Sequence, residues 1–363
     1  MTSPCSRRRF LHSTLAGLSF GLAYGQSGSP QGATPPPLPS PKDVSAGRST
    51  VSLIQGDHRR ENVFQALQAI DDQIVPRLRQ KRYVVIKPNN VSTVKQLASS
   101  HADALRGILD YLETRFKGPV VIAESSAGNT WDGFENFGYT RLPGEYRSLQ
   151  VSLVDLNQEA LYEVHHILDG DMHLTPVRLA ARLLDPDAFI INAGVLKTHN
   201  VVVATLSVKN MTLGAPLHQA PAESTRWNDK RKYHGGVRQT HFAIFQTAQR
   251  MQPYWGVSVL DGYEGMEGNG PSSGTPVLSK IAIASTDFIA ADRVGVEAMG
   301  IDAGWLAYLN YCGQAGLGRY DLAQIDIRGQ SLAEVRRPYR LHGDIELQLQ
   351  WQGPMLEIPP KLG

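Results

Sequence analysis

Short Val/Ile-rich runs that end abruptly in polar residues, separated by amphipathic stretches, constrain this chain most. "YVVIKPNN" (83–90) and "PVVIAESSAG" (119–128) flank "HADALRGILDYLETRF" (101–116). The first and last are too short for helices and rich in β-branched residues, whereas the middle segment repeats its apolar residues at helical spacing. That order is βαβ. The runs are continuously apolar rather than alternating, which suits parallel strands covered on both faces. "AFIINAGVLKTH" (188–199), "WGVSVLDGYEG" (255–265) and "SKIAIASTD" (279–287) extend the pattern, the last followed by a helix from Phe288 to about Met299. The expected fold is α/β, with mainly parallel strands flanked by helices, in one or two lobes over residues 48–363.

In open α/β sheets ligands bind outside the carboxyl ends of the strands, and here the polar residues collect just after the apolar runs. The first group is Lys87, Asn89 and Asn90, and Glu124 opens the second. The stretch "LKTHNVVVATLSVKN" (196–210) carries Lys197, His199, Lys209 and Asn210, and Asp261, Glu264 and Glu267 stand among five glycines between 262 and 274. Burying an unpaired ammonium is costly, so lysines within apolar surroundings are either partnered or part of a site. A cleft containing Lys87, Asn89, Lys197 and Asn210 would attract a carboxylate or phosphate. Asp261 and Glu267 could pair with these lysines or hold a divalent cation, and the backbone around Gly268 and Gly270 could approach a ligand closely. The competing reading is a structural polar network that binds nothing. For Lys87 and Asn89 it is a Lys-Pro turn followed by an Asn cap; for Asp261–Pro276 it is a turn-rich connection with its acids in water. His101 falls in the first helical turn after Ser100, an N-cap candidate. His165 and His166 lack chelating spacing, and nothing in the spacing of His234 or His241 requires them at a site.

The N-terminus reads Ser6-Arg7-Arg8-Arg9-Phe10-Leu11, then a weakly apolar Gly/Ser-rich run too short to span a bilayer, with Ala23 and Gly25 near a plausible cut. This pattern is that of a twin-arginine export signal over residues 1–25. It implies the twin-arginine translocase as a partner, a periplasmic or other extracytoplasmic location, and no transmembrane segment in the mature chain. Residues 26–47, rich in Pro, Gly and Ser, read as a flexible or polyproline linker. Removing the signal takes away Cys5 and three arginines, leaving Cys312 as the only thiol and turning the formal charge of +2 into −1. One thiol excludes an internal disulfide, a C-x-x-C pair and an iron–sulfur cluster held by this chain's cysteines. No basic-aromatic stripe marks a nucleic-acid binder.

No G-x-S-x-G, H-E-x-x-H, Walker lysine loop or helix-opening G-x-G-x-x-G occurs. The ordered set "VVIKPNN", "SHADAL", "IAESSAG", "LKTHNVVVATLSVKN", "LDGYEGMEGNGPSSGTP", "ASTDFIAADRVGVEAMG" and "GQAGLGRYDLAQIDIRG" resembles the domain-of-unknown-function family 362 of bacteria and archaea, over nearly all of residues 50–330. Some members carry cysteine-rich ferredoxin segments, which this chain lacks. A more distant similarity is to the lactate racemase superfamily, whose nickel pincer nucleotide is tethered to a lysine. There a strand ends in a histidine, a small-residue stretch follows, and the tethering lysine precedes a glycine, much as His199, Lys209 and Gly214 stand here. The resemblance implies that Lys209 holds a cofactor and that His199 is a base or lies near the metal. Where the racemases have a second histidine this chain reads "ESSAGN", so Glu124 is the residue that would replace that base. The resulting expectation is an enzyme with isomerase-like chemistry on a small anionic substrate, using a divalent metal or a Lys-tethered cofactor. The alternative is a periplasmic anion- or metal-binding module without turnover.

Overall fold

The computed structural model describes residues 47–219 and 227–353. The export signal (1–25) and all but the last residue of the linker (26–47) lie outside the described residues, which belong to the unit of residues 39–363. The chain opens with β1 (Ser49–Gln55), α1 (Arg59–Gln68) and α2 (Asp71–Leu78), then runs β2 (Tyr83–Lys87), α3 (Ala102–Glu113), β3 (Val120–Glu124), α4 (Thr130–Asn136), the one-turn α5 (Leu142–Glu145) and β4 (Val151–Asp155). After the one-turn α6 (Leu156–Glu159), β5 (Tyr162–Leu168) and β6 (Leu174–Ala180) form a separate hairpin. Next come β7 (Ala188–His199), β8 (Val203–Thr205), α7 (Ser207–Gly214) and α8 (Val237–Met251). The described fold then adds β9 (Trp255–Glu267), β10 (Thr275–Ser285), α9 (Phe288–Ala298), α10 (Ala307–Gln314) and β11 (Ile325–Gly329).

The main sheet has the order β11-β1-β10-β9-β7-β2-β3-β4, with β8 added to β7. Strands β9, β7, β2, β3 and β4 are mutually parallel, while β10 runs antiparallel to both β1 and β9. This is the expected α/β class with a mostly parallel sheet. Continuous apolar runs work here because both faces are covered. Val84 and Ile86 of β2 pack with α1 and α3 on one face, and Val85 joins the core on the other, which includes residues of α7, α8 and α9.

Two local expectations need correction. His101, not Ser100, caps α3: its Nδ1 accepts the Asp103 amide at 3.1 Å. Ser100 instead accepts the Asn89 amide and donates to the Ala193 carbonyl, joining the end of β2 to β7. The segment 261–276 is also no long ligand loop. β9 continues through Glu267 and pairs with β10 from Thr275, leaving only a short turn. Its glycines make room in the strand: a Cβ on Gly262 would press into Leu196, and one on Gly265 into the Tyr339 hydroxyl.

Candidate functional site

β2 lies between β3 and β7, so the chain leaves β2 on one side and returns as β7 on the other. Such a reversal opens a crevice at the carboxyl ends of the strands. The crevice is a pocket of about 360 Å³ whose lining includes Lys87, Glu124, Lys197, His199, Lys209 and Lys230.

Each charge is held differently. Lys87 is buried and donates to Glu124 Oε1 at 2.9 Å, to the Pro88 carbonyl at 2.8 Å and to Asn210 Oδ1 at 3.3 Å. Glu124 also accepts the amides of Ser125 at 2.8 Å and Asn90 at 2.9 Å, so its charge is spent on structure. Lys197 has only neutral partners. It donates to the Ala98 carbonyl at 2.6 Å and to Asn89 Oδ1, while Asn89 Nδ2 donates to Asn210 Oδ1 at 2.9 Å. Burial and then the Lys209 charge hold the Lys197 ammonium well below the ordinary lysine range. Lys230, in the 3₁₀ turn Asp229–Tyr233, donates to Ser125 Oγ at 3.0 Å and to the Leu213 and Gly214 carbonyls at 3.1 and 3.3 Å. These are carbonyls that the end of α7 leaves without helical partners. Burial lowers Lys230 to about 7.

Lys209 is the exception. It is 7% exposed, yet among the described residues its ammonium has no hydrogen-bond or ion-pair partner. Burial and then the Lys87 charge lower it to about 7. It sits in the first turn of α7 rather than directly after a strand, contrary to expectation. That turn is fixed from a distance: Asp292 of α9 accepts the Ser207 amide at 2.8 Å and the Val208 amide at 3.0 Å, as well as the Ser207 hydroxyl.

The two histidines of the lining play opposite parts. His199 Nδ1 accepts the amides of Val201 at 3.0 Å and Val202 at 3.3 Å, so the ring proton belongs on Nε2. Burial, then the charges of Lys209 and Lys197, keep the ring neutral. In this form His199 offers the pocket a donor, whereas the resemblance implies a base or a place near a metal. His234, at the exposed rim, has Nδ1 3.0 Å from the Lys230 carbonyl. A carbonyl only accepts, so Nδ1 carries the proton and Nε2 has a free lone pair. Partial desolvation and then the Lys209 charge lower its pKa, favouring this neutral form. Neither Lys230 nor His234 was expected at the site. Lys230 gives no local signal, because its partners lie 16 to 105 positions away.

The expected acids and glycines are elsewhere. Asp261 is buried against Arg59, with Oδ2 3.0 Å from its Nε, and accepts the Tyr263 amide at 3.0 Å; burial raises its pKa despite the nearby guanidinium. Glu267 accepts the Arg340 amide at 2.9 Å. Neither lines the lysine pocket, and no group of three His, Cys, Asp or Glu among the described residues could hold a metal ion. The Gly268 and Gly270 amides already donate, to the Arg340 and Gly268 carbonyls. A Cβ on Gly270 would collide with the Thr198 carbonyl, so this glycine lets the β9–β10 turn lie on β7; Pro271 and Ser272 of the same turn reach the lining. A pincer-type metal cofactor also fits poorly. A ligating histidine presents a bare nitrogen and donates its other ring N–H to an acceptor, whereas His199 does the reverse.

The fold and this pocket define an α/β protein with a lysine-rich cleft at the carboxyl ends of a mostly parallel sheet. Residues 84–297, more than half of the chain, match the family described as a domain of unknown function (DUF362), and the chain belongs to that family. No curated protein matches it. A crystal structure of a Thermotoga maritima protein, determined as a structural genomics target, aligns with a TM-score of 0.41 and 11% identity, over 72% of this chain and 60% of that one. The chain thus spans less than two thirds of that protein, and a score of this size carries no argument about function.

Proposed function

We propose that the protein is an exported enzyme acting on a small carboxylate or phosphate, with the Lys209 amine as the reacting group. The observation that carries this reading is the buried Lys209 amine, unpartnered among the described residues, in a pocket where Glu124, the one carboxylate in the lining among those residues, is already engaged. Lys197, Lys209 and Lys230 have no carboxylate partner among the described residues, and an entering anion would raise their proton affinity and supply one. The His199 Nε2–H is placed to donate to substrate oxygen, and the His234 Nε2 lone pair to take a proton. Proton abstraction next to a carboxylate, the isomerase-like chemistry, fits these roles. Neither a metal nor a pincer-type cofactor has a part in this reading. Export rests on Arg7 and Arg8, with residues 48–363 as the mature domain after the linker.

The rival reading is anion binding without turnover, favoured by the engagement of Glu124 in structural hydrogen bonds. Lys209→Ala and Lys209→Arg separate the two. For an enzyme, both abolish activity while the variants keep the fold, because alanine has no amine and guanidinium cannot supply a free one at neutral pH. If Lys209→Arg keeps the full function in calorimetric titrations with lactate and phosphate, Lys209 is only a positive charge and the binding module is correct.

A further inference from the structure

We infer that the substrate is a small oxo acid, and that Lys209 joins its carbonyl carbon as an imine. This deepens the proposed function and rests on it. The geometry separates the four lysines by task. Lys87 is tied to Glu124, Lys197 to Asn89 and the Ala98 carbonyl, and Lys230 to Ser125 and the end of α7; Lys209 alone has its amine open to the pocket. An amine serves as a nucleophile when it is desolvated and close to another cation, since both favour the unprotonated form. Lys209 meets both conditions, the cation being Lys87.

An amine alone would select any carbonyl compound. The fixed amines of Lys197 and Lys230, which an anion beside them would hold protonated, add a preference for negative charge on the same molecule, and the pocket of about 360 Å³ limits its size. A carbonyl and a carboxylate on one short carbon chain satisfy all three conditions.

The surrounding groups balance the step. The Lys209 nitrogen lone pair forms the new N–C bond while the carbonyl π pair moves to oxygen. The oxygen receives a hydrogen bond from His199 Nε2–H, and His234 Nε2 can accept the proton released from nitrogen. His234 passes this proton, and then the second N–H proton, to the carbinolamine oxygen, which leaves as water as the nitrogen lone pair forms the C=N bond, so amine plus ketone gives imine plus water with no oxidant or reductant. The imine is an electron sink for a carbanion at the neighbouring carbon; in a 3-oxo acid such as acetoacetate that carbon is also the one next to the carboxylate.

Reductive trapping tests this. The purified protein is incubated with pyruvate or acetoacetate, treated with sodium borohydride, and analysed by intact mass and peptide mapping. The expected result is a single adduct on the peptide bearing Lys209 with at least one of the two acids. Acetone, which has the carbonyl but no carboxylate, should label at least tenfold less, and Lys209→Met should not be labelled there. Lys197→Met keeps the amine but loses an anchor, so it should need at least tenfold more acid for half-labelling. No adduct at Lys209 with either acid, equal labelling by acetone, or labelling scattered over surface lysines would each overturn the inference. Calorimetry with lactate on the same sample distinguishes the two levels. Lactate binding without trapping rejects the imine but leaves the anion pocket standing, whereas failure of both rejects the pocket as well. Unfolding curves show whether the variants keep the fold.

Discussion

At the scale of single residues, the pocket combines burial with like charge, and both act on proton affinity in the same direction. Lys209 and Lys230 each titrate at about 7, for which burial is the first cause. An anion beside them favours the ammonium form, so binding takes up protons. Lactate affinity should therefore be highest below pH 7 and fall as pH rises through it, by about tenfold per pH unit for each lysine coupled to binding. Lactate is the suitable probe because its own charge is constant over this range. The linkage to folding has the opposite sign. A lysine lowered in the folded state is disfavoured while protonated, so the stability of the ligand-free protein should rise from about pH 7 towards the unfolded lysine value of about 10.4. Saturating lactate should flatten that rise. Calorimetry over pH 6 to 9, by roughly one-unit steps around the lowered values, measures the first effect, and an affinity independent of pH would contradict the site electrostatics.

At the scale of elements, the pocket depends on how closely α7 approaches the end of β2. A Cβ on Gly214, at the end of α7, would strike the Lys87 Cε and Nζ, which cannot swing away because the ammonium is buried and bonded to Glu124. Gly214→Ala should therefore break or distort a buried ion pair and cost about 3 kcal/mol in denaturant unfolding, the range for disrupting such pairs. Gly144→Ala, with nothing near its Cβ, is the control and should be close to neutral. Changes of similar size in the two would mean that the close approach is not what Gly214 provides. The strands that end at this point were readable in the sequence, because Tyr83–Lys87 and Val120–Glu124 are continuous β-branched runs and their final residues differ sharply in polarity. α7 was not. Residues from Ser207 to Thr212 are all buried, so the helix lacks a polar face, and its start is held by Asp292 rather than by a local capping side chain. Asp261 was misread for a related reason: its partner Arg59 lies 202 positions away, beyond anything local spacing can reveal. The glycines of 262–274 look in the sequence like marks of a ligand loop, although at 262 and 265 they admit Leu196 and Tyr339.

At the scale of the whole molecule, the sheet is completed only when distant parts of the chain meet. β1 near the start of the domain pairs with both β10 and β11, Ser49 lying opposite Ile325 and Ser52 opposite Ala284. Almost the entire domain must exist before that edge forms, and strand pairings of such separation are slow and vulnerable while incomplete. Among the described residues no helix is long and apolar enough to cross a membrane. A twin-arginine signal would carry such a domain across the membrane after folding. The Ser6-Arg7-Arg8-Arg9-Phe10-Leu11 segment is accordingly expected to direct the folded domain across the membrane. Changing Arg7 and Arg8 together to Lys keeps the positive charge but removes the guanidinium pair that the translocase reads. The double variant should accumulate uncleaved in the cytoplasm with the thermal stability and lactate affinity of the exported protein, since both substitutions fall within the expected signal, before residue 48. Cell fractionation with intact mass checks both location and cleavage. If the double variant appears outside the cytoplasm, cleaved and in normal amount, the chain uses another route and the twin-arginine assignment fails.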